Sequence, residues 1–98
     1  EDNIRLVTLE DIAAMKISAI IGRGTKKDFI DLEFLLDIFS LDDILNFYEK
    51  KYSESSRFMA MKSIMYFEDA EYEPMPYMLK DKSWSEIKER ILKEVRCL

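Results

Sequence analysis

Lys16, Asp28 and Asp31 are the side chains whose types and spacing are suited to chemistry. A lysine ammonium can hold the phosphates of a nucleotide, and a carboxylate beside it can take a proton from an attacking group. The three stand on either side of Gly22-Arg23-Gly24, the one glycine-bearing stretch of the chain. A turn there folds two helices into an antiparallel hairpin. Lys16 lies about six residues before the turn and Asp31 about six after it, so each is roughly 9 Å along its helix. They are therefore placed to meet across the hairpin. Asp28 and Asp31 share one face of the second helix, and Lys16, Ala19, Ile20 and Arg23 share one face of the first. The plain alternative is an ion pair that braces two helices in apolar surroundings, with a small or even negative net stabilisation. A lysine and two acids in the least polar part of the chain are nevertheless costly unless something there needs them.

The turn itself adds cations. Arg23-Gly24-Thr25-Lys26-Lys27 offers a flexible bend, a hydroxyl, the backbone donors of a helix start and three positive side chains, which together suit a phosphate. Lys16, Arg23, Lys26 and Lys27 are accordingly the candidate nucleotide-binding residues. The spacing is not that of a P-loop, and a capped turn with solvated basic residues is the alternative.

Absences narrow the chemistry further. The chain has no histidine, which removes Ser-His and Cys-His nucleophile pairs and His-ligated zinc. Cys97 is the single cysteine, so neither an intramolecular disulfide nor a cysteine-based metal site can be drawn, and a reducing cytoplasm is the expected location. A net charge of −5 argues against coating nucleic acid by bulk charge, so a polyanion must meet a local patch. No apolar run approaches the ~20 residues that span a bilayer, and no basic-then-apolar leader is visible, so no membrane partner is expected.

Five helices are expected to position these residues in a single compact all-α domain over 1–98. With 98 residues and 48% hydrophobic content, the chain is large enough for one core. Thr8 and Asp11 cap a first helix whose apolar residues recur at helical spacing until Gly22. Thr25 caps the second, with Asp28 at its third position near the positive end of the helix dipole. That helix runs to about 39 and is apolar almost all round, which predicts a central position buried on most sides. Ser40 opens a third helix through about 51, and a fourth spans about 54–66 with Phe58, Met61, Ile64 and Met65 as its packing face. Four acids and two prolines in 68–77 read as an extended surface loop. Ser83 and Glu86 form a capping box for a last helix with Trp84, Ile87, Ile91 and Val95 inward. Residues 4–7 alternate briefly and allow a short N-terminal strand, whose unpaired edge would invite self-association.

The run KISAIIGRGTKKDFIDL, from Lys16 to Leu32, resembles the C-terminal helical part of the AbiEii/AbiGii-type nucleotidyltransferase toxins. In that family a Lys, a following Ala, an Arg before the turn and an Asp-x-x-Asp on the next helix recur, as Lys16, Ala19, Arg23, Asp28 and Asp31 do here. Tyr66-Phe67-Glu68-Asp69-Ala70-Glu71 and Pro74-Met75-Pro76 extend the likeness over most of the chain. The resemblance implies the helical half of a minimal nucleotidyltransferase, with Lys16 contacting nucleotide, Asp31 as the catalytic acid and Asp28 as its companion. It also implies Mg²⁺, a nucleoside triphosphate and a tRNA or other RNA acceptor for an intact member. The family's sheet-borne Asp-x-Asp metal pair is missing here, and the chain starts at Glu1 without a Met, so a piece of a larger toxin–antitoxin protein, inactive alone, is expected. From a different class, a non-catalytic helical interaction module would account for the same charged helix exteriors.

Overall fold

The structure, a computed structural model, describes residues 7–76 and 82–98. Five helices of two turns or more carry the fold: α1 (Leu9–Gly22), α2 (Lys26–Leu35), α3 (Leu41–Lys51), α4 (Arg57–Ile64) and α6 (Trp84–Arg96). A single helical turn, α5 (Glu68–Glu71), stands before the last. The fold is all-α, and no strand occurs among the described residues. The strand allowed at 4–7 falls outside them except for Val7, which is exposed and not in a strand.

Local chemistry sets each start. Thr8, Thr25, Ser40, Ser56 and Ser83 each take a backbone N–H three residues on, filling one of the donors that a helix start leaves unpaired. Thr25 with Asp28 and Ser83 with Glu86 complete reciprocal capping boxes. Gly24 makes the turn after α1: its φ is 57°, in the left-handed region, and its N–H closes on the Ala19 carbonyl at 3.2 Å.

The centre of the domain is α1, not α2 as the sequence suggests. Helix α1 packs against α2, α3 and α4, and it buries Ala13, Ala14, Ile17 and Ile20. Its two alanines have no bulk to hold neighbouring helices away, so α3 brings Leu41, Ile44 and Leu45 close, and α4 brings Ala60 and Ile64. Helix α2 lies between α1 and α6, burying Phe29, Ile30, Leu32 and Leu35, while Phe34 remains 55% exposed. The segment around α5 covers α2 further, with Phe67 on the Phe29 ring and Glu73 on Lys26.

Three other elements depart from expectation. Helix α2 stops at Leu35 rather than near 39, and the next residues close tighter bonds, such as Ile38 N–H to Leu35 O at 2.9 Å. Arg90 of α6 takes the Leu36 carbonyl at 2.9 Å, and Phe39 turns onto the Phe47 ring at 5.0 Å, so the chain is drawn toward α3. Helix α4 is shorter than 54–66; of its expected packing face Ile64 is buried and Met61 packs against the core, Ala60 joins them, and Phe58 and Met65 are exposed. The acidic segment is not wholly extended, because Ala70 is buried and Phe67 packs on Phe29 and Trp84, which holds Glu68–Glu71 as a turn of helix.

Among the described residues three charged side chains are buried, and all of them are on α2: Lys26, Asp28 and Glu33. Burying a charge is tolerated only with partners. Glu33 has them in Lys82 and Arg90, and through Arg90, which also reaches Asp37, it ties α2 to α6. No buried side-chain polar atom among the described residues lacks a hydrogen bond.

A Cβ at Gly24 would sit 3.2 Å from the Ile20 carbonyl and touch the Phe29 ring, on a backbone that disfavours any side chain. Gly24→Ala is therefore expected to destabilise the domain by about 1–2 kcal/mol in urea unfolding. A variant as stable as the parent would contradict this account of the turn.

Candidate functional site

The left-handed turn at Gly24 returns the chain so that α2 runs back along α1, and the expected meeting across the hairpin occurs. Lys16 Nζ lies 3.2 Å from Asp28 Oδ1 and 2.9 Å from Asp31 Oδ2. Arg23 joins from the end of α1, donating from Nε to Asp28 Oδ2 at 2.8 Å and from Nη2 to Oδ1 at 3.0 Å. The structure therefore brings four of the sequence candidates, Lys16, Arg23, Asp28 and Asp31, into one cluster.

Their environments differ sharply. Asp28 is 1% exposed, and its carboxylate also accepts from the Thr25 amide at 3.2 Å and the Thr25 hydroxyl at 2.8 Å. Burial alone would raise its pKa, but the donors from Arg23, Thr25 and Lys16 outweigh it and hold the carboxyl well below the usual carboxylate range. Asp28 is thus an anion saturated by five donors, unsuited to take a proton. Asp31 is 37% exposed, and Lys16 is its partner in the cluster. Burial pulls the Lys16 ammonium down, while hydrogen bonds and charge from Asp31 and Asp28 push it up by more, so it stays protonated above its ordinary range. Arg23 is 64% exposed, and with Nε and Nη2 on Asp28 its Nη1 faces no partner among the described residues.

Lys26 is placed elsewhere. Its side chain is buried, donating to the Glu73 carbonyl at 2.7 Å and lying 4.9 Å above the Trp84 ring, while its backbone N–H meets Glu73 Oε1 at 2.6 Å. The sequence offers it as a phosphate contact; the fold uses it to hold the segment after α5 against α2 and α6. Lys27 is exposed beside the turn and has no partner among the described residues.

Sequence reasoning missed that Thr25 serves Asp28 twice, because a capping threonine is expected to spend its hydroxyl on the backbone. It also missed Lys62, Ser63, Tyr66 and Asp69, which line a groove of about 330 Å³ against the same turn. Nothing in their spacing places the end of α4 there; that follows from the close approach of α4 to α1.

A divalent cation does not fit this cluster. Every strong acceptor direction of Asp28 is occupied, Asp31 stands beside an ammonium, and no group of three or more acidic, histidine or cysteine side chains among the described residues is arranged to hold a metal. No helix among them is long and apolar enough to cross a membrane.

Because Asp28 is depressed in the folded state, its contribution to stability is complete above the ordinary carboxylate pKa of about 4 and is lost as pH falls below it. Asp28→Asn leaves Lys16 and Arg23 without their shared anion, and is expected to cost roughly 3–5 kcal/mol near pH 7. The gap between parent and variant should be constant from pH 6 to 8 and shrink below about pH 4 in chemical unfolding. A gap that persists unchanged at low pH would contradict the assignment.

Comparison with known proteins gives the cluster a context. The model of the family described as "Nucleotidyl transferase AbiEii toxin, Type IV TA system" matches residues 1–96. A relative from Aquifex aeolicus (strain VF5), described as uncharacterized protein aq_aa25, is 38% identical over 89 residues, which are 89% of this chain and 42% of that protein. The chain thus spans about two fifths of the length of the curated relative it matches. No solved structure matches. With the match extending over essentially the whole chain and including the Lys16–Asp31 hairpin, the chain belongs to the AbiEii nucleotidyltransferase toxin family of type IV toxin–antitoxin systems.

Proposed function

We propose that this chain supplies the nucleotide-holding and proton-accepting side of a nucleotidyl-transfer site, with Lys16 and Asp31 as its working residues. The observation that carries the reading is the unequal state of the two aspartates on one lysine: Asp28 is saturated and buried, while Asp31 is half-exposed and held in the cluster by Lys16 alone. A triphosphate arriving at Lys16 competes with Asp31 for the ammonium and leaves Asp28 in place. Arg23, fixed by Asp28 and with a donor to spare, takes a second phosphate oxygen, and the exposed Lys27 adds positive charge nearby.

Asp31, released from Lys16, accepts the proton of the acceptor hydroxyl. The hydroxyl oxygen bonds to the α-phosphorus, the bond from that phosphorus to the β-phosphate bridging oxygen breaks, and pyrophosphate leaves with the electron pair. Magnesium, where the reaction uses it, belongs with carboxylates from outside this chain, since these residues do not accommodate it. The chain by itself is then inactive, and an RNA such as tRNA is the acceptor that the family suggests. The reading as a bare interaction module draws on the exposed Phe34 and Phe58, but it gives Lys16 and Asp31 no role.

In the full-length protein carrying this chain, Asp31→Ala is expected to lower kcat for transfer of labelled nucleotide by about a hundredfold or more, with little change in melting temperature. Lys16→Ala should chiefly raise KM for the triphosphate. Transfer retained at the parental rate in both variants would refute the proposal.

A further inference from the structure

The groove behind the turn contains features that the fold does not require. Gly22, at the end of α1, has an ordinary helical backbone, unlike Gly24, and a Cβ added there would meet nothing within 4 Å. Neither strain nor packing asks for glycine at this position, although glycine weakens a helix relative to alanine. What its missing side chain provides is open floor in the groove that it lines with Arg23, Lys62, Ser63, Tyr66 and Asp69.

The walls have a definite chemistry. The Tyr66 hydroxyl donates to Glu68 at 3.1 Å, which steadies an exposed ring at the groove edge. The Asp69 carboxylate has no hydrogen bond or ion pair among the described residues. The Lys62 ammonium is drawn over the Phe58 ring at 5.4 Å, so the acidic pair Glu68 and Asp69 opposes a second phosphate here. An aromatic face, a free carboxylate and a serine hydroxyl suit a nucleobase, which stacks on one and donates to the other. The volume of about 330 Å³ is at the small end of ligand sites, which run from roughly 300 to 1,000 Å³. Arg23 belongs to both places, with its guanidinium on Asp28 and its side chain in the groove wall.

Building on the proposed function, we infer that this groove receives the base of the nucleoside triphosphate whose phosphates meet Lys16 and Arg23. It favours bases that present an amino group to Asp69. Uracil has no amino group, and it flanks its ring N–H with two carbonyl oxygens that a carboxylate repels.

Amide NMR titrations of the 98-residue chain with inorganic triphosphate, ATP, GTP, CTP and UTP test this. Inorganic triphosphate should move the signals around Lys16 and Arg23 alone. ATP, GTP and CTP should also move those of Gly22, Ser63 and Asp69, with UTP binding more weakly. Gly22→Ala and Asp69→Asn should weaken CTP binding by about tenfold, leave the inorganic triphosphate response intact, and keep a melting temperature no lower than the parent's. Groove signals unmoved by all four nucleotides, equal affinity for UTP and CTP, unchanged CTP affinity in Gly22→Ala, or a lowered melting temperature in that variant would overturn the inference while the Lys16 reading stands. Absence of any response at Lys16 to inorganic triphosphate would overturn the reading itself, and this extension with it.

Discussion

A carboxylate taken out of water must be given back as many hydrogen bonds as it lost, and around Asp28 that requirement organises the hairpin. Its two oxygens draw in the ammonium of Lys16, two nitrogens of Arg23 and both donors of Thr25. Each partner comes from a different local feature: the body of α1, the residue that ends it, and the cap that starts α2. None can move without exposing an unpaired charge in a poorly solvated place. The turn is consequently held at both ends, by the left-handed Gly24 backbone and by the anion that its neighbours surround. Such an ion cluster is weak evidence for stability when set against an apolar replacement, and its value here lies in fixed geometry.

That fixity creates an asymmetry useful to chemistry. A lysine bridging two acids, one saturated and one open, is pre-positioned yet keeps one exchangeable contact. A second buried charge, Glu33, paired with the partly exposed Lys82 and Arg90, anchors the other side of α2 to α6. Lys26 secures its first turn against Trp84 and the Glu73 carbonyl. All three buried charges among the described residues therefore act on the helix that carries Asp31.

Much of this was legible in the sequence. Caps at Thr8, Thr25, Ser40 and Ser83 are local signals, and so is the spacing that sets Lys16 opposite Asp31, because both depend on helix geometry that neighbours do not change. Less legible were features decided between elements. The apolar circumference of α2 suggested the centre, yet the small residues Ala13 and Ala14 gave that place to α1, since close approach depends on what is missing from a side chain. The burial of Lys26 depended on Trp84 and Glu73, residues far away in the chain. The groove at Gly22 depended on where α4 came to rest. Composition and periodicity do not encode such meetings.

The central claim is that Asp28 is fixed and Asp31 is exchangeable. Carboxyl carbon NMR of both residues, together with the Lys16 ammonium signal, can be followed as inorganic triphosphate is added to the chain. The account predicts that the Asp31 and Lys16 signals shift together while Asp28 stays where it was. A shift of Asp28 with Asp31 unmoved would contradict it.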